Sequence, residues 1–229
     1  MSVGQPTYVV GNYLTIASAP TGPMTLAGWV RVDDLSGVYP TLLATSTISD
    51  VRHWLGYQAE NLRIWNSAYG FSAVLSPIAV GDWVYVALIH NGATLTGYAS
   101  RNNASSTMVN LARNIADNSD LWLLRNGNYG NAFGGYANYV RVWSAVLTQA
   151  ELDAERTAAN AVRTADLWSD CDLPNISDLS DSSGNNNPWT IVGSLGNSTD
   201  SPYVAAGGGV FIKMVGNNFR LAGNGGLAS

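Results

Sequence analysis

Charge is scarce in this chain. Of 229 residues, 12% are Asp, Glu, Lys or Arg, about half the share of an ordinary soluble domain. The net charge is -5 at pH 7, which argues against nucleic acid as a partner, because binding a phosphate backbone needs a basic patch. Cysteine is scarcer still. Cys171 alone cannot build an intramolecular disulfide framework, and it reads as a small, partly buried residue rather than a nucleophile. The two histidines, His53 and His90, fall in different strands without metal spacing between them, so both are expected to line a sheet face rather than bind zinc. No apolar run approaches the roughly 20 residues of a membrane-spanning helix. The opening Met-Ser-Val-Gly-Gln-Pro-Thr lacks a basic n-region and an apolar h-region, so no secretory signal peptide is expected and the protein is expected to be made in the cytoplasm. The sequons at Asn103, Asn175 and Asn197 then read as chance in an Asn-rich chain.

Gly, Asn, Ser and Thr supply the polarity instead, a mixture that suits a turn-rich β protein. Residues 8–16 carry an opening strand or hairpin, and Pro20-Thr-Gly-Pro23 is a turn. Met24 to Val32 reads as a strand with Leu26, Gly28, Val30 and Val32 on one face and Trp29 and Arg31 on the other. Short strands follow at residues 39–46, 54–57, 62–65 and 71–75. In Trp83 to His90 both alternating faces are apolar, so that strand is expected at the centre of a sheet. Asn91-Gly92 signals a hairpin with a type I′ turn, and Thr94 to Ser100 returns beside it. Strands at this spacing indicate an antiparallel sandwich.

The most informative stretch runs from Leu121 to Leu152. Tyr139, Arg141 and Trp143 alternate with Val140 and Val142, the period of a two-faced strand. Thr148 with Glu151 three residues on fits a capping box at a helix start. The following segment is Ala-rich and free of Gly and Pro, which predicts a helix over about residues 148–166. Residues 170–200 read as an Asn/Ser-rich loop with one short strand at 189–192.

Phe133-Gly-Gly-Tyr136, Tyr139-Val-Arg-Val-Trp143 and Leu147-Thr-x-x-Glu-Leu152 together resemble the closing signature of laminin-G-like jelly rolls, relatives of the concanavalin A-like lectin/glucanase superfamily. Thr25-Leu-Ala-Gly-Trp-Val30 is similar to that family's early strand, and Gly81-Asp-Trp-Val-Tyr-Val-Ala-Leu88 to its central strand. Asp181-Ser-Ser-Gly-Asn185 resembles a family loop that precedes the jelly roll in many relatives and follows it here. The resemblance covers roughly residues 8–195. It implies an all-β, two-sheet antiparallel jelly roll over residues 1–204, with one helix after the last long strand. Residues 205–229 then form a Gly-rich arm in which Val210, Phe211, Ile212, Met214, Phe219 and Leu221 are the apolar positions. Such an apolar hairpin between glycine-rich joints is not stable alone. It either packs back on its own domain or adds strands to a neighbouring subunit's sheet edge, and the flexible Gly207-Gly208-Gly209 linker favours the second.

Three chemistries compete. Glu151-Leu-Asp-Ala-Glu155 matches the E-x-D-x-E signature of the glucanase branch, where Glu151 would be nucleophile, Asp153 its tuner and Glu155 the general acid/base. In a helix these side chains are rotated by about 100° per residue and cannot converge on one sugar, so catalysis is not expected. For binding, exposed rings beside amides are the residue types that hold sugars. Trp54, Tyr57, Trp65, Tyr69, Asn126, Asn128, Tyr129 and Asn131 are the candidates, with sandwich core as the alternative for Trp54 and Trp65. Some relatives bind calcium, for which Asp33, Asp34, Asp178 and Asp181, with Asp117 and Asp120, are weak oxygen donors without the dense spacing of a calcium loop. The expected function is a non-enzymatic accessory subunit of a larger assembly such as a phage particle, docked to other subunits through its arm. It would be virion-associated and oligomeric, and would bind cell-surface glycans through a lectin-like face. A free-standing carbohydrate-binding module is the alternative.

Overall fold

The computed structural model describes residues 2–5, 13–35, 41–47, 50–58, 61–66, 71–112, 120–123, 125–126, 131–132, 134–198, 200 and 202. Its strands are β1 (Ser2–Gln5), β2 (Tyr13–Ala17), β3 (Met24–Asp34), β4 (Thr41–Thr47), β5 (Asp50–Gln58) and β6 (Asn61–Asn66). They continue with β7 (Phe71–Pro77), β8 (Trp83–His90), β9 (Thr94–Arg101), β10 (Thr107–Ala112), β11 (Asp120–Leu123), β12 (Arg125–Asn126) and β13 (Asn131–Ala132). After β14 (Gly134–Trp143) come the helix α1 (Gln149–Glu155), then β15 (Leu167–Cys171), β16 (Thr190–Val192) and β17 (Gly196–Ser198).

Two antiparallel sheets form the sandwich. One runs β10-β9-β8-β3-β14-β1-β17, with β15 also paired to β14, and the other runs β16-β2-β11-β4-β5-β6-β7. Alternation decides which residues meet between them. Leu26, Val30 and Val32 of β3 and Val84, Val86 and Leu88 of β8 face Leu14, Leu43, Leu55, Leu62 and Ile64 of the other sheet. β8 is buried along its whole length, as its two apolar faces require. Its second face carries Trp83, Tyr85, Ala87 and Ile89 into an outer cluster with Trp29, Tyr98 and Trp143, covered by Leu147 and by Leu152 of α1.

Two glycines mark close approaches. A Cβ on Gly97 would collide with Ile64 Cγ2 and lie 3.3 Å from Leu75 Cδ2, so glycine lets the two sheets close here. Gly28 stands opposite a bulge in β14, where the pairing with β3 skips from Asn138 to Arg141. Its Cβ would lie 3.0 Å from Val140 Cγ2, and Tyr139 takes the left-handed φ of 48° that the bulge requires.

The structure corrects the sequence reading at two joints. The hairpin between β8 and β9 is present, but only Gly92 has a positive φ, 89°. Asn91 pairs with Thr94 by its N–H, and its side-chain Oδ1 accepts from Thr94 N at 2.7 Å. Gly92 is therefore the first central residue, the type II′ pattern rather than I′. The helix expected to reach about residue 166 ends at Glu155, with Arg156 as its C-cap. Tertiary hydrogen bonds hold the backbone beyond it. Arg141 donates to the carbonyls of Ala158 and Ala159 at 3.3 and 2.6 Å, and Glu155 Oε1 accepts from Val162 N and Arg163 N at 3.0 and 2.6 Å. Groups that would have closed helical turns are used up by buried charges, and helix propensity loses.

Candidate functional site

The capping box at the start of α1 is made in both directions, with Thr148 N donating to Glu151 Oε2 at 2.7 Å. That takes Glu151 out of the E-x-D-x-E reading, and its other oxygen pairs with Arg163. The donors of Thr148, then Arg163, hold its carboxyl below the usual range. Asp153 turns to β9 instead, accepting from Tyr98 OH at 2.8 Å and from Ser106 Oγ at 3.2 Å. Burial pushes its carboxyl up, but these bonds and Arg156 outweigh it and leave it low. Glu155 points inward to Arg141 Nη1, 3.0 Å away. The three carboxylates serve three different neighbours, and neither Glu151 nor Asp153 has the raised pKa of a general acid. The Cys171 thiol is buried and pushed up to about 12 by that burial, so it is protonated at neutral pH.

The weak metal donors are likewise occupied. Asp33 pairs with Arg31 at 2.8 Å, and Asp178 Oδ1 accepts from the Ser180 hydroxyl at 2.6 Å. Asp181 accepts from the N–H groups of Asp170, Ser183 and Asn187 at 2.8 to 2.9 Å. Its Ser-Ser-Gly-Asn loop thus fastens residues 181–187 to β15. Among the described residues no three His, Cys, Asp or Glu side chains converge as a metal would need.

The aromatic candidates separate by strand parity. Tyr57 shares a face with Leu55 and packs against the inter-sheet core, so it is corrected from ligand contact to core neighbour. Trp65 lies between Ile64 and Asn66 with its ring on the opposite side, away from the inter-sheet core. It clusters there with Ala44, Trp122 and Tyr13. Trp122 and Tyr13 meet edge-on with centroids 6.1 Å apart. The register runs Thr15–Trp122–Ala44–Trp54–Trp65–Ser72 across five ladders, so one row crosses the outer face of the seven-stranded sheet. Trp65 and Trp122 are 8% and 9% exposed, a packed floor rather than projecting rings. Polar positions flank the row: Asn61 pairs with Gln58, and Arg63 with Gly56.

Tyr13, Trp122 and Arg63 were missed by sequence reasoning. Asn126 of β12 pairs with Asn131 of β13, and β12 lies against β4. Tyr69, Asn128 and Tyr129, with Asp117, lie outside the described residues, as do the arm positions Val210, Phe211, Ile212, Met214, Phe219 and Leu221. Asp200 pairs with Arg31 and accepts from Trp83 Nε1 at 3.4 Å. Trp83 belongs to the outer cluster of the eight-stranded sheet, on the side opposite the tryptophan row.

Comparison with known proteins follows the same line. A family profile described as the concanavalin A-like lectin/glucanases superfamily, laminin-G type, matches residues 8–153. No curated protein sequence matches. Among solved structures, a Bacteroides ovatus protein provisionally assigned as carbohydrate binding is 18% identical with a TM-score of 0.58, over 90% of this chain and 62% of that one. The chain thus spans 62% of that relative's length. The heptameric SAP-like pentraxin of Limulus polyphemus is 12% identical with a TM-score of 0.52, over 83% of this chain and 94% of its own. Tailspike protein 2 from an Escherichia coli O157:H7 bacteriophage is 14% identical with a TM-score of 0.50, over 69% of this chain and 24% of that one.

Proposed function

Because the chain belongs to the concanavalin A-like lectin/glucanase superfamily as a laminin-G-like jelly roll, we propose that it is a non-catalytic, lectin-like module. Its ligand is a saccharide held on the outer face of the seven-stranded sheet. The observation that carries this reading is the outer-face cluster of Ala44, Trp65 and Trp122 with Tyr13 against it. Large apolar residues on the outside of a sheet contribute nothing to joining the two layers, and an apolar floor beside polar side chains is a composition that ligand sites share. The separate engagement of Glu151, Asp153 and Glu155 favours binding without hydrolysis. The test is a panel of immobilised oligosaccharides presented to the full chain. Binding that is lost in Trp122→Ala, without release of reducing sugar from wild type, supports the module. Binding untouched by that change, or hydrolysis abolished by Glu151→Gln, overturns it.

A second reading adds to the first: the module is an accessory subunit of a larger assembly such as a phage particle, joined to other subunits by residues 205–229. The sequence favours it, because the apolar positions Val210, Phe211, Ile212 and Met214 follow the Gly207-Gly208-Gly209 linker. Solution mass decides: an oligomer at full length and a monomer when the chain ends at Ala205 supports the arm as an assembly element. Two monomers overturn self-assembly through it.

A further inference from the structure

We propose that Asn91 is a self-modifying site, where attack by the Gly92 nitrogen expels the side-chain amide as ammonia and aspartate takes the place of asparagine. The reaction needs an accessible nitrogen in the next residue, no competing hydrogen bond from that nitrogen, and a polarised side-chain carbonyl. Asn91, Gly92 and Ala93 are all exposed at the tip of the β8–β9 hairpin. Gly92 has no Cβ to shield its nitrogen, and among the described residues its N–H donates to no acceptor. Asn91 Oδ1 accepts from Ala93 N at 2.9 Å and from Thr94 N at 2.7 Å. Two backbone N–H groups on one carbonyl oxygen are the arrangement of an oxyanion hole. They hold the negative charge that develops when the carbonyl carbon is attacked. The turn that returns β8 as β9 thus activates its own first residue.

The Gly92 nitrogen loses its proton by way of water and bonds to Asn91 Cγ. The Cγ–Nδ2 bond breaks, and the amide nitrogen leaves with that proton as ammonia. A cyclic imide with two carbonyls remains, and water opens it, returning a proton to the Gly92 nitrogen. Attack at the former side-chain carbonyl breaks the new Cγ–N bond and leaves aspartate on an unchanged backbone. Attack at the main-chain carbonyl leaves isoaspartate, with one extra carbon in the chain. The two N–H groups lie on the side-chain oxygen, so they polarise the first carbonyl and favour aspartate. That carboxylate keeps both partners as charge-assisted hydrogen bonds and adds one negative charge to a chain of net charge -5. Asn175 is the contrasting case. Its Oδ1 accepts from Ser177 N at 2.8 Å, but the next residue is β-branched Ile176, whose own N–H is engaged by Asn197 Oδ1 at 2.8 Å.

The experiment incubates the full chain at mildly alkaline pH, folded in buffer and unfolded in urea. Peptides spanning positions 91 and 175 are then followed by chromatography and mass spectrometry, which separate the asparaginyl, aspartyl and isoaspartyl forms. Conversion at Asn91 is expected to run at least about threefold faster in the folded chain than in the unfolded one. The aspartyl form should be the main folded product, and Asn175 in the same digest should stay unchanged. Ala93→Pro removes one of the two donors, so it should slow the folded-state reaction and raise the isoaspartyl share. A folded rate at or below the unfolded rate, isoaspartate as the main folded product, or an equal rate at Asn175 overturns the proposal. So does a folded Ala93→Pro variant that converts as fast as wild type. Should that variant fail to fold, the wild-type comparison alone decides.

Discussion

Arg141 Nη1 lies 3.0 Å from Glu155 Oε2, and neither side chain has any exposed surface. The pair joins the long strand β14 to the last residue of α1. A second carboxylate, Asp170 of β15, holds Arg141 Nε at 2.9 Å. Burial disfavours the guanidinium's charge, but Asp170 and the neighbouring groups outweigh it and hold its pKa above the ordinary value. This network fixes where the helix stops and how residues 156–163 lie on the outer face of the eight-stranded sheet.

Removing one partner leaves the other buried and uncompensated. Glu155→Ala should cost about 3–5 kcal/mol, the range for a broken buried ion pair, read as a shift in the urea midpoint. Glu155→Gln should cost less, because an amide oxygen can still accept from Val162 N and Arg163 N. A loss below about 1 kcal/mol for Glu155→Ala would mean the charges are solvated in solution.

Gly97→Ala should destabilise by about 1–3 kcal/mol, the usual cost of overpacking, because its methyl meets Ile64 on the facing sheet. The double variant Gly97→Ala/Ile64→Ala should lose less than the sum of the two single losses, since the second change vacates the space the first needs. Additive losses in denaturant unfolding would contradict the contact.

Acid should weaken the 181–187 loop. Burial pushes the Asp181 carboxyl up, but the N–H groups of Asn187, Asp170 and Ser183 more than offset it, and its pKa lies below the usual value. A depressed folded-state pKa means the group's contribution is complete above the unfolded value of about 4 and lost as pH falls through the folded one. The stability gap between wild type and Asp181→Asn should therefore be widest near neutral pH and close below about pH 4. A gap constant with pH in urea unfolding would refute the assignment.

Glu151 acts as a cap and an ion-pair partner. Glu151→Gln should cost up to about 1 kcal/mol of stability and change no hydrolytic rate, measured as reducing ends released from mixed β-glucans. A rate that falls a hundredfold would restore the glucanase reading.

Much of this architecture was legible in the chain. Trp83 to His90 has apolar residues at both parities, and only a central strand covered on both faces accommodates that pattern. Thr148 and Glu151 announced the helix start, because a capping box is local chemistry. Its end was not legible: the Ala-rich run after Glu155 has every local reason to be helical, and what stops it is Arg141 arriving from β14. The binding face was half legible for a related reason. Tyr57 packs against the inter-sheet core, which a reading by residue type does not reveal. Trp122 lies in Leu121-Trp-Leu-Leu124, where apolar residues at both parities hide which one points outward. Only the pairing of Trp122 with Ala44 and Thr15 reveals its side.

The central claim is that the outer face of the seven-stranded sheet is where a saccharide binds. The most direct measurement is a nuclear magnetic resonance titration of the ¹⁵N-labelled full chain with a binding oligosaccharide, reading the indole N–H signals assigned by single Trp→Phe changes. The account predicts that the signals of Trp65 and Trp122 shift on saturation, while those of Trp29 and Trp143, buried on the far face, stay in place. Shifts confined to Trp29, Trp83 or Trp143 would contradict it and move the binding face to the other sheet.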